Sequence, residues 1–203
     1  MKYLVFDTET TGLRTKDEVI QFSGLLLDDK CKLLRLFSFY CDTLVDIHPE
    51  AERTHGLSKT RVHELSKGRF FEEQFYAVPH LQECTKMKDI TWVGYNVPFD
   101  IRLINQTLMN NGYSAVDFGR KVNTLSNTGV CNFDVHQAVR AYYNRGIAIS
   151  LSNAVEKYCD TPMSTIVAQY KKLLRYTGFE GNANLHDSLF DTFLTYKLLE
   201  QIW

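Results

Sequence analysis

Hydrophobic and polar positions alternate differently in the two halves of the chain. In the first forty residues, apolar runs separated by polar turns predict three strands: from Tyr3 through Phe6, over Val19 to Leu27, and over Lys32 to Phe39. The turns after Gly12 and at Asp28-Asp29-Lys30 suit a meander, and Gly24 predicts a bulge or a close backbone approach. Further along, apolar residues recur at helical spacing. Helices are expected at 72–87, from Pro98 to Met109, and at 134–144, 150–159, 163–176 and 187–202. Short apolar strands at Ile90–Gly94 and Val130–Phe133 fall between them. His48-Pro49-Glu50-Ala51 opens a loop and short helix, with Ser58 or Thr60 as a helix cap. The segment 113–129 shows no period, and Gly178 to Asn184 reads as a loop. Five strands, a meander followed by strands alternating with helices, predict an α/β fold: a mixed sheet flanked by helices.

Composition narrows the class. The 203 residues, 44% hydrophobic and 13% aromatic, suffice for one core, so residues 1–203 are expected to form a single domain. A formal charge of −1 provides no global basic field for nucleic acid, but it is compatible with local basic patches around an acidic site. Five scattered cysteines, none in a C-x-x-C pair, predict reduced thiols and argue against a zinc site. The first strand starts within three residues of Met1, and no apolar run reaches membrane-spanning length. The expectation is a soluble cytoplasmic protein with no membrane contact.

The acidic residues change the picture. Side chains alternate along a strand, so Tyr3, Val5, Asp7 and Glu9 share one face, and two carboxylates leave the end of a core strand together. Such a pair is costly without a cation, and hard oxygen ligands suit Mg²⁺ or Mn²⁺. Asp100 heads the helical stripe Leu103, Ile104, Thr107 and Leu108; Asp191 heads Leu194, Leu198 and Ile202. Asp100 alone also suits a first-turn residue serving the helix dipole. His186, five residues before Asp191, lies off that stripe and reaches the site only from the preceding loop. Histidine as a residue type titrates near neutrality and can take a proton from water.

Together these residues resemble the DEDDh, or DnaQ-like, 3′–5′ exonucleases. Phe6-Asp7-Thr8-Glu9-Thr10-Thr11-Gly12 is similar to their first motif, and Val93-Gly94-Tyr95-Asn96-Val97-Pro98-Phe99-Asp100 to the second. His186-Asp187-Ser188-Leu189-Phe190-Asp191 resembles the third, and His55-Gly56-Leu57 an H-G-[IL] element between the first two. The resemblance implies a ribonuclease H-like fold with a mixed five-stranded sheet. It implies two divalent cations, Mg²⁺ or Mn²⁺, with Asp7 bridging both, Glu9 and Asp191 on the first and Asp100 on the second. It also implies His186 as general base, and a cradle for the 3′-terminal nucleotide from the backbone of Thr10, Thr11, Gly12 and Leu13 with His55, Asn96 and Phe99. The expected partner is the 3′ end of DNA or RNA, single-stranded DNA favoured. A DNA polymerase association is compatible, but the chain ends soon after Asp191 and no tethering tail is expected. Nothing in the sequence sets the oligomeric state.

Two other classes compete. A haloacid-dehalogenase-type phosphatase would place aspartate where Glu9 stands and has no use for His186. A non-catalytic module on the same fold would be expected to lack some of the five residues, and all are present. In the segment 160–185, Tyr170, Lys171, Lys172 and Arg175 suit phosphate contact or, preferably, the solvated side of a helix. Tyr142-Tyr143 with Arg140 and Arg145 offer the same choice.

Overall fold

The computed structural model describes residues 1–125, 129–179 and 183–202. The three early strands are β1 (Lys2–Thr10), β2 (Val19–Leu27) and β3 (Leu33–Tyr40). Four short helices follow: α1 (Pro49–His55), α2 (Lys59–Ser66), α3 (Phe71–Ala77) and α4 (Pro79–Lys86). Then come β4 (Ile90–Gly94), α5 (Val97–Asn110), β5 (Arg120–Val122) and β6 (Cys131–Asp134). The chain closes with α6 (Val135–Ala138), a π-helical turn (Val139–Tyr143), α7 (Leu151–Tyr158), α8 (Met163–Thr177) and α9 (Ser188–Ile202).

The strands form one mixed sheet in the order β3-β2-β1-β4-β6-β5. β2 runs antiparallel to both neighbours, whereas β1, β4, β6 and β5 are parallel. Alternation along β1 divides the core. Tyr3 and Val5 face a cluster built with Ala154 of α7, Ile166 of α8 and Leu194 and Leu198 of α9. Leu4 and Phe6 face the other layer, with Phe71 and Phe75 of α3, Leu81 of α4 and Leu103 and Ile104 of α5. Phe6 meets Trp92 edge-on at 5.6 Å, and both are fully buried. Burying each such ring contributes about 2–3 kcal/mol. Every residue of β2 is buried, because helices cover both faces of the sheet there.

The mixed sheet between helices agrees with the sequence expectation, but among the described residues it has six strands, not five. The sixth, β5, lies in the unperiodic segment 113–129 and is an edge strand with only Val122 buried. Such a strand carries no alternation to read. The single helix expected at 72–87 is two helices, because Pro79 lacks an N–H and holds Val78 extended (φ −76°, ψ 104°). The helix expected at 134–144 is α6 continued by the π-helical turn. Those expected at 150–159, 163–176 and 187–202 are α7, α8 and α9. Trp203, residues 126–128 of the unread segment and 180–182 of the Gly/Asn loop lie outside the described residues. Among the described residues, no helix is long and apolar enough to cross a membrane.

Candidate active site

β1 runs through the core and delivers Asp7 and Glu9 at its C-terminal end. Between Glu9 and Thr10 its pairing with β2 shifts register, a bulge that bends the strand where the two acids emerge. Thr8 points to the opposite face and holds Asp100 at the first turn of α5. The Thr8 hydroxyl donates to Asp100 Oδ1 at 2.7 Å, and the Thr8 N–H donates to the same oxygen at 3.1 Å. The helix start is fixed by Asn96, which turns the chain in a left-handed conformation (φ 73°) and donates its N–H to Asp134 Oδ1 at 3.1 Å.

α9 brings the fourth carboxylate. Ser188 at its start touches β2 twice: its hydroxyl lies 2.7 Å from that of Ser23, and its N–H donates to Gln21 Oε1. One turn on, Asp191 Oδ2 accepts the N–H of His186 at 3.1 Å, while its Oδ1 is buried without a hydrogen-bond partner among the described residues. His186 sits in a left-handed conformation (φ 63°) just before the helix, with Nδ1 4.0 Å from Asp191 Oδ2. Ligand atoms of Glu9, His186 and Asp191 all lie within 4.8 Å of one another.

Charge accumulates here on largely buried carboxylates. Burial, then Asp100, Asp191, Glu9 and Asp187 nearby, push the Asp7 carboxyl well above the usual carboxylate range. Burial, then Asp191, Asp100 and Asp187, raise Glu9. Asp100 is pushed up to about 7, chiefly by burial, against the two Thr8 hydrogen bonds that favour its ionised form. Asp191 is also raised to about 7, by burial first and Asp187 next. Mutually repelling carboxylates and an orphaned buried oxygen, all hard donors, fit a divalent cation.

The structure brings most of the predicted residues together. Asp7, Glu9, His186 and Asp191 line one open cleft of about 860 Å³ with Thr10, Gly12, Leu13, His55, Asn96 and Phe99. Asp100 lies behind Thr8, 2% exposed. Thr11 is the exception. It is buried: its hydroxyl donates to Asp17 Oδ1 and accepts the N–H of Glu18, so the side chain braces the loop and does not face the cleft. A Cβ at Gly12 would come 2.6 Å from Asp17 Oδ2 and displace the carboxylate that Thr11 and the Arg14 N–H hold. His55 accepts the N–H of Leu57 at Nδ1, so Nε2 carries the hydrogen and donates to the Thr10 carbonyl at 3.2 Å. Burial lowers its pKa, which keeps this neutral tautomer. Leu13 projects at the cleft, 73% exposed. Tyr170, offered as a phosphate contact, is instead fully buried against Phe190 and Phe193, and Lys171, Lys172 and Arg175 are on the solvent side.

Sequence reasoning missed Asp17, Asp134 and Asp187. Asp187 caps α9 by accepting the N–H groups of Leu189 and Phe190, and adds to the charge on Asp7 and Asp191. Asp134 ends β6 and caps α6 through the Gln137 N–H, and it is 3% exposed with Oδ2 unpartnered among the described residues. Its signal was present: an aspartate between an apolar run and a helix, as at the end of β1. Also unforeseen was the far wall of the cleft, formed by Tyr95, His136 and Ile149–Leu151.

Known proteins resemble this chain in sequence and fold. The RNase T-type exonuclease family matches over residues 4–199, nearly the whole chain. The chain therefore belongs to this family, the DnaQ-like 3′–5′ exonucleases, and has its ribonuclease H-like fold. It is similar to the DNA polymerase III epsilon subunit of Rickettsia prowazekii, 25% identical over 62% of this chain and 52% of that protein. For the epsilon subunit of Rickettsia conorii the identity is 28%, over 53% and 44%. Among solved structures, the zinc-bound E. coli ExoI–ssDNA complex superposes with a TM-score of 0.65 and 19% identity, over 99% of this chain and 40% of that one. A product-bound exonuclease I gives 0.65 and 19%, over 99% and 43%. The chain thus spans about half the length of these curated relatives and less of the structures.

Proposed function

We propose that this chain, as a single domain over residues 1–203, is a metal-dependent 3′–5′ exonuclease that hydrolyses the terminal phosphodiester of a nucleic acid strand, single-stranded DNA by preference. The observation that carries this reading is the convergence of Asp7, Glu9, Asp100 and Asp191 from three elements, each raised first by burial and Asp7 and Glu9 also by the other acids, with His186 beside them. Asp7, Glu9 and Asp191 would hold one divalent cation, Mg²⁺ or Mn²⁺, and Asp7 with Asp100 a second. Such ions stabilise charge developing on the attacking and leaving oxygens of a phosphodiester. His186 is placed to take the proton of the attacking water, and its backbone bond to Asp191 fixes where the ring starts from. The neutral His55, bound to the Thr10 carbonyl, holds the wall against which the terminal nucleotide rests, between Leu13 and Phe99. Similarity to proteins named as polymerase subunits and to an ExoI–ssDNA complex supports a DNA strand as substrate.

The test uses one sequence as single-stranded DNA and as RNA, labelled at the 5′ end, with Mg²⁺, Mn²⁺ or EDTA. A ladder shortening from the 3′ end, absent in EDTA and with Asp7→Ala, is expected, with DNA shortened faster. Internal cuts, or shortening that survives Asp7→Ala, would overturn the reading.

A further inference from the structure

Between the two parts of the far cleft wall, the chain leaves the site and returns. His136 lines the cleft, the π-helical turn and residues 144–148 lie between, and Ile149–Leu151 line it again. The intervening arm is unusual in what it exposes: Tyr142 is 71% exposed, Tyr143 44% and Ile147 66%. Arg140 and Arg145 are exposed beside them. Three large exposed side chains within six residues, beside two cations, form a patch of the kind that marks an interaction surface.

The arm is also held in shape. Arg140 Nε donates to the Gly146 carbonyl at 2.6 Å, and the Gly146 N–H donates to the Arg140 carbonyl at 2.7 Å. The Tyr158 hydroxyl, on α7, donates to the Tyr143 carbonyl at 2.9 Å, and Lys157 Nζ donates to Asn144 Oδ1. At its foot the Tyr95 hydroxyl donates to the Ile149 carbonyl at 2.6 Å, with the Tyr95 ring 5.0 Å from that of His136. The π-helical turn is a rare conformation that recurs at functional sites, and here it lies in the exposed part.

We propose that this arm, residues 139–148, docks the single-stranded nucleic acid lying 5′ of the terminal nucleotide. The proposal rests on the exonuclease reading. The arm is continuous with the cleft wall, its cations complement a phosphate backbone, and exposed tyrosine rings offer stacking surfaces to bases of any identity. Held by its hydrogen bonds, it meets the strand without an ordering cost.

The test compares the wild type with Tyr142→Ala/Arg145→Ala and with Tyr142→Phe, on an oligonucleotide of about 15 nucleotides and on a trinucleotide. Binding is read by fluorescence anisotropy in EDTA and turnover by kcat and KM in Mg²⁺. The preference of the wild type for the longer strand, taken as a ratio of affinities, is expected to fall about tenfold in the double variant and to survive in Tyr142→Phe. The slope of log affinity against log salt should flatten by about 1. A ratio and slope unchanged in the double variant would overturn the proposal. Wild-type binding with no shortening of either strand would overturn the exonuclease reading and leave the arm to be judged by anisotropy alone.

Discussion

Replacing Asp100 by asparagine is expected to stabilise the metal-free protein while removing its activity. Asp100 is 2% exposed, and its carboxyl is pushed up from 3.8 to about 7. At 1.36 kcal/mol per pKa unit, keeping it ionised in the fold at pH 8 costs about 4 kcal/mol. Asparagine keeps an oxygen for the N–H and hydroxyl of Thr8 and carries no charge. The sign follows from proton binding: between pH 4 and pH 7 the folded wild type holds a proton that the unfolded chain has lost. Its stability therefore falls as pH rises through that window, and the variant escapes the fall. Thermal unfolding in EDTA should show Asp100→Asn melting about 10 °C above wild type at pH 8, with the gap closing towards pH 4. Added Mn²⁺ should lift the wild type more than the variant. A variant that melts below the wild type at pH 8 in EDTA would refute the claim that burial without a cation makes the ionised Asp100 carboxylate costly.

Other perturbations probe separate parts of the account. His186→Ala should lower kcat by about 10²–10⁴-fold, with a smaller effect on Mn²⁺ affinity, as measured by single-turnover kinetics beside a metal titration. Gly119 adopts φ +67°, and a Cβ there would come within 1.9 Å of the Val130 carbonyl oxygen. Gly119→Ala is therefore expected to destabilise by about 2 kcal/mol or more in urea unfolding.

The two acids of β1 and the aspartates heading α5 and α9 were legible because each breaks an otherwise apolar pattern, and the histidine before α9 because it stands five residues from one of them. A charge at the end of a core strand or helix face needs a reason, and several such charges share one. The three-stranded meander was legible because its turns are short and polar. β5 was not, since a three-residue edge strand with one buried side chain leaves no period. The break at Pro79 was written in the sequence but outweighed by the helical pattern on both sides. Tyr170 shows the opposite difficulty: a tyrosine beside lysines looked like a surface residue, and only the packing of α8 on α9 reveals it among Phe190 and Phe193. Asp17 and Thr11 were hidden for another reason. Their contacts are made within one loop, where side-chain-to-backbone bonds have no periodic signature.

The central claim, that Asp7 and its neighbours form a cation site, is tested most directly by calorimetric titration of Mn²⁺ into metal-free protein at pH 8. The wild type should take up Mn²⁺, and Asp7→Asn, still folded by circular dichroism, should bind it at least about tenfold more weakly. A wild type that takes up no Mn²⁺, or an Asp7→Asn protein that binds it equally well, would contradict the account.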